Sequence, residues 1–563
     1  MVLGWRRPGR VGHRQGAFSF SLPVNPIPRP PAPAPRQGRW TTPSIQPIER
    51  WLLHPFLFAL YPVLALLAVN ARDVPLPTAL RPIVVSLTLA CLLLGLTRLL
   101  LRRRTEAAVL TSATLLLIFA YGHVYALLRT VPTLGPAIGH HRYLAALWVI
   151  LWAATAGTLA RHRVRPSLTR VLNLMGLLLV GLALVPSIVV FAGERSGQAS
   201  STPGRTSDLD LSLPPGEPAP DVYYIILDAY TRADVLQQVF GYDNRHFLER
   251  LEALGFRVAA DSRSNYALTR LSLPSSLNMD YLEEIGPALD LQAADAAWLD
   301  QAAKYGDVRV ALEDLGYRIV AVESAYGMTD WIDADVYLTR RPQALANAGA
   351  VGEMTPFEVL LLQTSIGRLI LDGRTRLNAM LPWKIEGPHE QHRERILFAL
   401  TALEEMPGVP GPKFVFVHIM SPHPPYAFTA DGGIAGESDF FSLNLESESP
   451  TADTRQGYRD QITYLNTRIL QAVETILDES ATDPIIVIQG DHGALGVSSE
   501  DRMKILNVYY FPEDGGRRVY DAISPVNTFR LIFSQYFGAD LALLEDRSTY
   551  SPVDHPFQFT SAP

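Results

Sequence analysis

The sequence predicts two parts, an N-terminal anchor of five transmembrane helices and an exported α/β domain whose largely parallel central sheet is flanked by helices. The 563 residues are 48% hydrophobic, and long apolar stretches occupy the first half. Charge divides the chain in the same way. Residues 1–219 hold 22 arginines against seven acids, whereas the remainder holds 27 basic residues against 49 acids, a balance of -22. In this second part, short β-branched runs alternate with helical patterns.

The anchor is predicted from five apolar stretches, near 51–70, 82–101, 108–128, 143–160 and 171–193. Each approaches the roughly 20 residues that cross a bilayer, and buried helices of a large soluble core rarely provide five such runs in succession. The second and fourth connections hold four arginines each, and the other two hold two each. By the positive-inside rule, the N-terminus is cytoplasmic and five crossings place the α/β domain outside. We expect a multi-pass protein of the cytoplasmic membrane.

Composition predicts the boundaries of the parts. A Pro/Arg-rich cytoplasmic tail without an apolar period is expected to be disordered, and a Pro/Gly/Ser linker follows the anchor. The tail is 1–50, the anchor 51–193, the linker 194–219, the α/β domain 220–545 and the C-terminal tail 546–563. The single cysteine, Cys91, excludes an intrachain disulfide and a zinc site built from paired cysteines.

Two segments invite separate hypotheses. His123 lies in the third apolar stretch beside Tyr121 and Tyr125, where an ionisable group is a functional candidate, although pairing with a tyrosine near the interface would also explain it. The apolar segment 355–372 opens with a capping box and a proline at the first helical position. We interpret this segment as a core helix, with docking onto the membrane surface as the alternative.

Alternating strands and helices predict a largely parallel sheet that is covered on both faces. Strands are expected at 221–227, 317–322, 413–419, 483–489 and 505–511, and helices at 231–254, 307–315, 458–478 and 524–537. Ligands of such sheets bind just beyond the carboxyl ends of the strands. Polar residues at those ends are therefore the candidate site.

Three of the predicted strands end in polar side chains. One ends at Asp228, another runs into a His-Pro-Pro-Tyr segment with His418 and His423, and a third is followed by the Gly-Asp-His-Gly of Asp491 and His492. Singly, each has a structural explanation, such as a helix cap or a turn. Together, the carboxylates and imidazoles predict a site for one divalent cation, for which Mn²⁺ is favoured over Zn²⁺ or Mg²⁺.

Thr269 is the candidate nucleophile. It is expected to begin a helix, where backbone N–H groups and the helix dipole favour an incoming anion. A hydroxyl bound to a divalent cation loses its proton more readily and attacks more effectively. Most threonines are surface or capping residues, so the assignment depends on the surrounding motifs.

The order of these motifs resembles the sulfatase branch of the alkaline phosphatase superfamily, in particular membrane-bound lipoteichoic acid synthases and phosphoethanolamine transferases. The resemblance covers the anchor and most of the α/β domain. It implies a sulfatase-like fold and a contact between His423 and the phosphate or the leaving oxygen, with His418 as a weaker candidate. It also implies four ligands of one cation: Asp228, Thr269, Asp491 and His492.

The chain departs from sulfatases proper in ways that bear on its chemistry. Those enzymes use a Cys/Ser-x-Pro-x-Arg motif, whereas Cys91 lies in the anchor and the segment from Ser272 to Ser276 lacks the arginine. Ala229 follows Asp228 where sulfatases tend to have a second aspartate, and the disulfides usual in phosphoethanolamine transferases are impossible here. The resemblance therefore implies a glycerophosphate-type transferase more than a formylglycine sulfatase.

The expected function is transfer of a phospho-alcohol group from a lipid-linked phosphodiester to an envelope glycan or lipid acceptor, through a phosphothreonine at Thr269. The alternatives are an exported phosphodiesterase or other ester hydrolase, and a catalytically silent envelope-binding protein. We expect the bilayer as a partner and no nucleic acid. The domain's charge would repel a polyanionic acceptor unless local cations such as Arg263 and Arg270 offset it.

Overall fold

A computed structural model describes twelve segments of the chain: 51–70, 76–131, 139–198, 209–213, 216, 218–285, 296–340, 355–371, 388–435, 450–513, 515–551 and 559–561. The predicted N-terminal tail lies outside these described residues. All contacts discussed below fall within one compact unit, Trp51–Pro563.

The described residues of the N-terminal part contain five α-helices: α1 His54–Val69, α2 Leu80–Leu101, α3 Arg104–Thr130, α4 His141–Arg161 and α5 Pro166–Gln198. Of these, α2 to α5 are long and apolar enough to cross a membrane. The first, α1, is apolar but has only 16 residues, fewer than a straight span requires. Four of the five predicted spans therefore meet the length criterion. Helix α1 packs against α2, α3 and α5, which joins it to the bundle.

The aromatic residues near the C-terminal end of α3 contact α4. The rings of Tyr121 and Tyr125 stack on His141, with 4.0 Å between the ring centroids of Tyr125 and His141. His123, the residue selected from the sequence, is exposed on the surface of α3. The histidine that pairs with these tyrosines is thus His141.

The α/β domain is built on a seven-stranded mixed sheet. Its strands are β1 Val222–Leu227, β2 Arg257–Val258, β3 Arg318–Val322, β4 Val336–Leu338, β5 Lys413–Ile419, β6 Ile485–Gln489 and β7 Asn507–Tyr510. They lie in the order β2-β7-β6-β1-β5-β3-β4. The pairs from β6 to β4 are parallel, but β7 is antiparallel to both β6 and β2. The parallel prediction is therefore correct for the centre and wrong for β7, because hydrophobic alternation does not encode strand direction.

Helices cover both faces of the sheet. They are α6 Arg245–Ala253, α7 Thr269–Asn278, α8 Leu282–Ile285, α9 Ala296–Lys304, α10 Asp307–Asp314, α11 Pro356–Thr364, α12 Arg368–Leu371, α13 Pro388–Glu405, α14 Ala452–Glu479, α15 Ser499–Met503 and α16 Pro525–Tyr536. One face of β1, with Tyr223 and Ile225, joins a core formed with α6, α13 and α14. The other face, with Tyr224 and Ile226, joins a core formed with α7, α9, α10 and α16. The central strand is thus buried on both sides, which explains its continuous apolar run.

Two segments differ from the sequence interpretation. The helix predicted at 231–254 is interrupted: a short turn, Ala233–Val235, leads into a wider π-helical turn, Leu236–Phe240, that ends at Gly241 with φ +65° before α6 begins. The second segment, α11 and α12, belongs to neither core of the α/β domain and packs against the helix bundle instead. A two-stranded ribbon, β8 Thr549–Tyr550 and β9 Thr560–Ser561, lies in the predicted C-terminal tail.

Candidate functional site

β1 ends in a turn that fixes the direction of Asp228. The backbone N–H of Asp228 donates to the carbonyl of Ile419 at 3.0 Å, and its own carbonyl accepts from the N–H of His423 at 2.9 Å. The next residue, Ala229, has φ +62°, a left-handed conformation that costs a non-glycine residue roughly 1 kcal/mol. That turn aims the Ala229 N–H at Oδ1 of Asp491, 3.0 Å away. The two carboxylates are therefore held at one edge of the sheet.

The Gly-Asp-His-Gly motif follows β6, and both glycines are required by close backbone contacts. A Cβ at Gly490 would lie 2.4 Å from the carbonyl oxygen of Tyr230. A Cβ at Gly493 would lie 2.8–2.9 Å from three carbonyl oxygens of the segment 501–504. Nδ1 of His492 donates to the carbonyl of Gly493 at 2.8 Å, so Nε2 is left with its lone pair towards the carboxylates.

Replacing Gly493 with alanine tests this packing. We expect Gly493→Ala to lower the free energy of unfolding by about 1–3 kcal/mol, because the new methyl group has to displace the 501–504 backbone. We also expect weaker Mn²⁺ or Zn²⁺ binding, because His492 is held through the Gly493 carbonyl. Thermal unfolding and calorimetric metal titration measure both effects. Gly327→Ala is the matched control, since a Cβ at that position meets nothing within 4 Å; equal behaviour of the two variants would contradict the prediction.

Thr269 is the first residue of α7. The preceding Leu268 is extended and provides no side-chain cap, so the N-terminus of this ten-residue helix remains available to an anion. The Thr269 side chain is half-buried, and its Oγ1 lies 3.4 Å from Nε2 of His492. The fold thus brings together the four side chains that the resemblance pairs with one cation.

Two oxygen atoms of this group are acceptors without a donor. One atom each of Asp228, Asp491 and His492 lie within 4.8 Å of one another, and Nε2 of His492 is 3.6 Å from a carboxylate oxygen of each aspartate. Oδ1 of Asp228 and Oδ2 of Asp491 are buried without a hydrogen-bond partner among the described residues. Two unsatisfied carboxylate oxygens facing an imidazole lone pair are costly without a counter-charge. The donor set therefore fits a divalent cation.

Charge interactions in the site oppose the effect of burial. Burial disfavours the charged form of Asp228, but His423, His418 and His492 outweigh it and hold the pKa of Asp228 below its ordinary value. Burial also disfavours a charged His418, yet its contact with Asp228 and the charges of Asp228 and Asp491 raise the His418 pKa. For His492, burial dominates and lowers the pKa, which favours the neutral form that binds a metal.

His418 in β5 and His423 in the His-Pro-Pro-Tyr segment occupy different places. His418 is fully buried at the end of β5, with Nε2 3.5 Å from Oδ2 of Asp228 and Nδ1 3.0 Å from the hydroxyl of Thr329. His423 is half-buried, and its ring centroid is 6.4 Å from that of His492. Its Nδ1 donates to the carbonyl of Pro424 at 2.6 Å. Nε2 of His423 is therefore the ring nitrogen that can exchange a proton.

Arg502, which the sequence reasoning missed, is a buried cation beside this group. It is 7% exposed, and its Nε donates to the carbonyl of Ala267, two residues before Thr269, at 2.9 Å. Burial lowers its pKa, while Tyr550, Asp491 and Asp228 act against that shift. Within the described part of the chain, no carboxylate forms an ion pair with it. An arginine in a short polar helix carries no sequence signal of burial.

The two arginines singled out from the sequence are paired. Arg263 lies 3.9 Å from Glu500, and Arg270 lies 3.4 Å from Asp300. Both are partly exposed. Their charges are therefore balanced locally, unlike that of Arg502.

The chain is similar to several solved structures at low sequence identity. It matches lipooligosaccharide phosphoethanolamine transferase A from Neisseria meningitidis at 13% identity, covering 84% of this chain and 94% of that one, with a TM-score of 0.35. It matches the C-terminal periplasmic domain of EcEptC from Escherichia coli, in complex with Zn, at 11% identity over 64% and 96% of the chains, with a TM-score of 0.38. It matches the lipoteichoic acid synthase from Listeria monocytogenes at 12% identity over 60% and 78%, with a TM-score of 0.34.

No protein-family model and no curated protein sequence matches the chain. The structural matches include both kinds of protein that the motifs resemble. At this level of similarity, the function has to be argued from the site itself.

Proposed function

We propose that the protein is a membrane-anchored, metal-dependent phosphotransferase of the sulfatase-like type, which moves a phospho-alcohol group from a lipid-linked phosphodiester to an envelope glycan or lipid acceptor. The observation that carries the proposal is the position of the Thr269 hydroxyl. It lies at a helix N-terminus and 3.4 Å from Nε2 of His492, beside two buried carboxylate oxygens that have no hydrogen-bond partner among the described residues. An alcohol in that position is suited to nucleophilic attack on phosphorus.

The residues that would hold one divalent cation are Asp228, Thr269, Asp491 and His492, and Mn²⁺ is our specific proposal for its identity. When bound, such an ion lowers the pKa of the threonine hydroxyl and neutralises charge on the phosphoryl oxygens. The chain's own residues supply the other contributions. The Gly493 carbonyl orients His492 through Nδ1, and the Ala229 N–H orients Asp491.

The proposed transfer has two steps. The Thr269 oxygen gives up its proton to solvent water and forms a bond to phosphorus, while the bond to the lipid alcohol breaks and the departing oxygen takes a proton from Nε2 of His423. An acceptor alcohol then returns a proton to Nε2 of His423 and forms a bond to phosphorus. The bond between Thr269 and phosphorus breaks, and the threonine oxygen takes a proton from solvent water to regain its hydroxyl. Attack by water in the second step would instead give hydrolysis.

The proposed setting is the outer face of the cytoplasmic membrane. Support for this comes from the four long apolar helices and from the arginine-rich second and fourth connections, which favour an extracytoplasmic α/β domain. A lipid donor is then confined to the same surface as the tethered site, which raises its effective concentration.

The experiment that tests the proposal uses the full-length protein in nanodiscs with fluorescent phosphatidylglycerol or phosphatidylethanolamine and Mn²⁺ or Zn²⁺. We expect release of diacylglycerol and a phosphorylated peptide that contains Thr269, detected by mass spectrometry. Adding a glycerol-type or glycan acceptor should accelerate loss of the phosphopeptide. Absence of diacylglycerol release and of the phosphopeptide with either metal would refute the proposal.

Arg502 is expected to bind a non-bridging oxygen of the transferred phosphate. A hydrogen bond between charged groups contributes about 1.5–3 kcal/mol, so Arg502→Met should raise the KM or the vanadate inhibition constant by roughly 10–100-fold. Steady-state kinetics with bis(p-nitrophenyl) phosphate measure the effect, and thermal unfolding checks the fold. Lys504→Met is the control, because Lys504 is already paired with Glu500 and Asp501. An equal effect of both substitutions would exclude this role for Arg502.

A further inference from the structure

The segment that contains α11 and α12 makes a continuous set of contacts across the helix bundle. Residues 355–371, here called the docking segment, belong by sequence to the α/β domain, between β4 and α13. The segment begins with the predicted capping box, in which Thr355 accepts from the N–H of Glu358. Glu358 also forms an ion pair with Arg81 in the first turn of α2. The Glu358 carboxylate therefore stabilises both the N-terminus of α11 and the contact between α11 and α2.

Apolar and backbone contacts extend this interface along the docking segment. Phe357 is buried with Val63 and Leu67 of α1. The backbone N–H of Ile366 donates to the carbonyl of Ile118 in α3 at 2.7 Å. At the far end, the Arg368 guanidinium lies 4.8 Å from the ring centroid of Tyr125. The docking segment thus contacts α1, α2 and α3.

The closest approach is at Gly122 of α3. A Cβ at this position would lie 2.0 Å from the carbonyl oxygen of Gln363 and 2.5 Å from the carbonyl carbon of Thr364. Both are backbone atoms, so a side-chain rotation cannot relieve the clash. The absence of a side chain at Gly122 is therefore what permits the segment to lie against α3.

The contact lies at membrane depth. Ile118 is twelve residues before the end of α3 at Thr130, which corresponds to about 18 Å along the helix axis. In the predicted orientation that end of α3 is on the outer side, so the docking segment reaches the outer leaflet. Its composition suits this depth: Ile366 is exposed, and the Thr364 and Ser365 hydroxyls are satisfied by backbone carbonyls of the same helix.

The same segment is linked to the wall of the candidate site. Helix α11 packs against α13, and Nε2 of His389, near the start of α13, lies 3.0 Å from the carbonyl of Tyr426. Tyr426 is the last residue of the His-Pro-Pro-Tyr segment that carries His423. Helix α13 therefore lies between the docking segment and the residues around His423, so the segment is near the candidate site without contributing a side chain to it.

We propose that the docking segment holds the α/β domain at the outer leaflet so that the site acts on a phospholipid donor whose acyl chains remain in the bilayer. This inference rests on the proposed phosphotransferase function and names the donor class and the element that selects it. A water-soluble phosphodiester reaches the site by diffusion and does not require the contact. The docking segment therefore determines specificity for a membrane-embedded donor and leaves the reaction at Thr269 unchanged.

Cross-linking tests the contact independently of activity. In a Cys91→Ser background, the full-length chain has no cysteine, so Ile118→Cys with Ile366→Cys is the only reactive pair. We expect this pair to link with a short thiol-specific reagent, and the link to be lost when Gly122→Leu is added. Leu116→Cys with Ile366→Cys is the control, because Leu116 is an exposed residue of α3 about 200° around the helix from Ile118. Failure of the first pair to link, or equal linking of both pairs, would overturn the docking geometry.

Activity tests the donor specificity. With Gly122→Ala in nanodiscs, we expect release of diacylglycerol from fluorescent phosphatidylglycerol or phosphatidylethanolamine to fall tenfold or more, while hydrolysis of bis(p-nitrophenyl) phosphate stays within twofold of wild type. Gly95→Ala and Gly181→Ala are matched controls in α2 and α5, since a Cβ at either position meets nothing within 4 Å. Equal losses on both substrates, or no loss on the lipid, would overturn the proposal. If the wild type turned over neither substrate, the phosphotransferase function and the donor specificity would fail together, while the cross-linking would still decide the contact.

Discussion

Thr269→Ala is expected to abolish phosphotransfer while leaving the protein folded. The substitution removes the only oxygen that the mechanism places between the helix N-terminus and Nε2 of His492. Loss of a covalent nucleophile typically lowers kcat by roughly three or more orders of magnitude. The Thr269 side chain is half-buried and does not cap α7, so the melting temperature should change little. Turnover of fluorescent phosphatidylglycerol and mass spectrometry of the 269-containing peptide measure the result.

Thr269→Ser is the matched control for that variant. Serine keeps the hydroxyl and removes only the methyl group, so it should retain a phosphorylated intermediate and a measurable fraction of activity. If Thr269→Ala turned over at the wild-type rate, or if the phosphate were found on another residue in both variants, Thr269 would not be the nucleophile. The fold and the metal site would then remain, with a different attacking group.

Asp491→Asn is expected to remove metal binding without destabilising the metal-free protein. The amide oxygen can keep the bond from the Ala229 N–H, which is 3.0 Å from Oδ1 in the native carboxylate. The amide nitrogen replaces Oδ2, which is buried without a partner among the described residues. One negative charge then disappears from a group in which Asp228 and the His492 lone pair already repel it. After EDTA treatment, the variant should therefore unfold at the same temperature as wild type or a higher one.

Added metal should change the melting temperatures of wild type and of Asp491→Asn differently. A ligand at 100 times its dissociation constant stabilises the folded state by about 2.7 kcal/mol, so Mn²⁺ or Zn²⁺ should raise the melting temperature of wild type and not that of Asp491→Asn. Activity should fall by at least about two orders of magnitude. Asp300→Asn, which removes an aspartate paired with Arg270, should keep the metal-induced shift. An equal shift in Asp491→Asn and wild type would show that Asp491 is not a ligand.

The sequence was informative about the candidate site because the sheet is parallel where Asp228 and Asp491 lie. The register pairs Ile226 of β1 with Gln489 of β6, so two residues further along, Asp228 and Asp491 emerge side by side. A polar residue directly after a buried strand is visible in the sequence, and parallel neighbours bring such residues to one edge. For the same reason, His418 lies next to Asp228, because His418 of β5 is the register partner of Ile226 in β1.

Other features depend on contacts that leave no local pattern. The reversed direction of β7 follows from the route of the chain between β6 and β7, and alternating hydrophobic residues are compatible with either direction. Arg502 is buried because Ala267, 235 residues earlier, accepts from its Nε. The apolar surface of α11 is equally suited to a protein core or to a membrane helix, and only the three-dimensional neighbours, such as Arg81 for Glu358, decide between them.

The two backbone hydrogen bonds of Asp228 limit how far Asp228 and His423 can move independently. The Asp228 N–H bonds to the end of β5 and the Asp228 C=O bonds to the backbone of His423, so the Asp228 carboxylate and the His423 imidazole are attached to one short hydrogen-bonded link. Any shift of His423 that accommodates a larger leaving alcohol would pull the carboxylate with it. The spacing between Asp228 and His423 is thus set during folding, and adaptation to different donors has to come from residues outside this link.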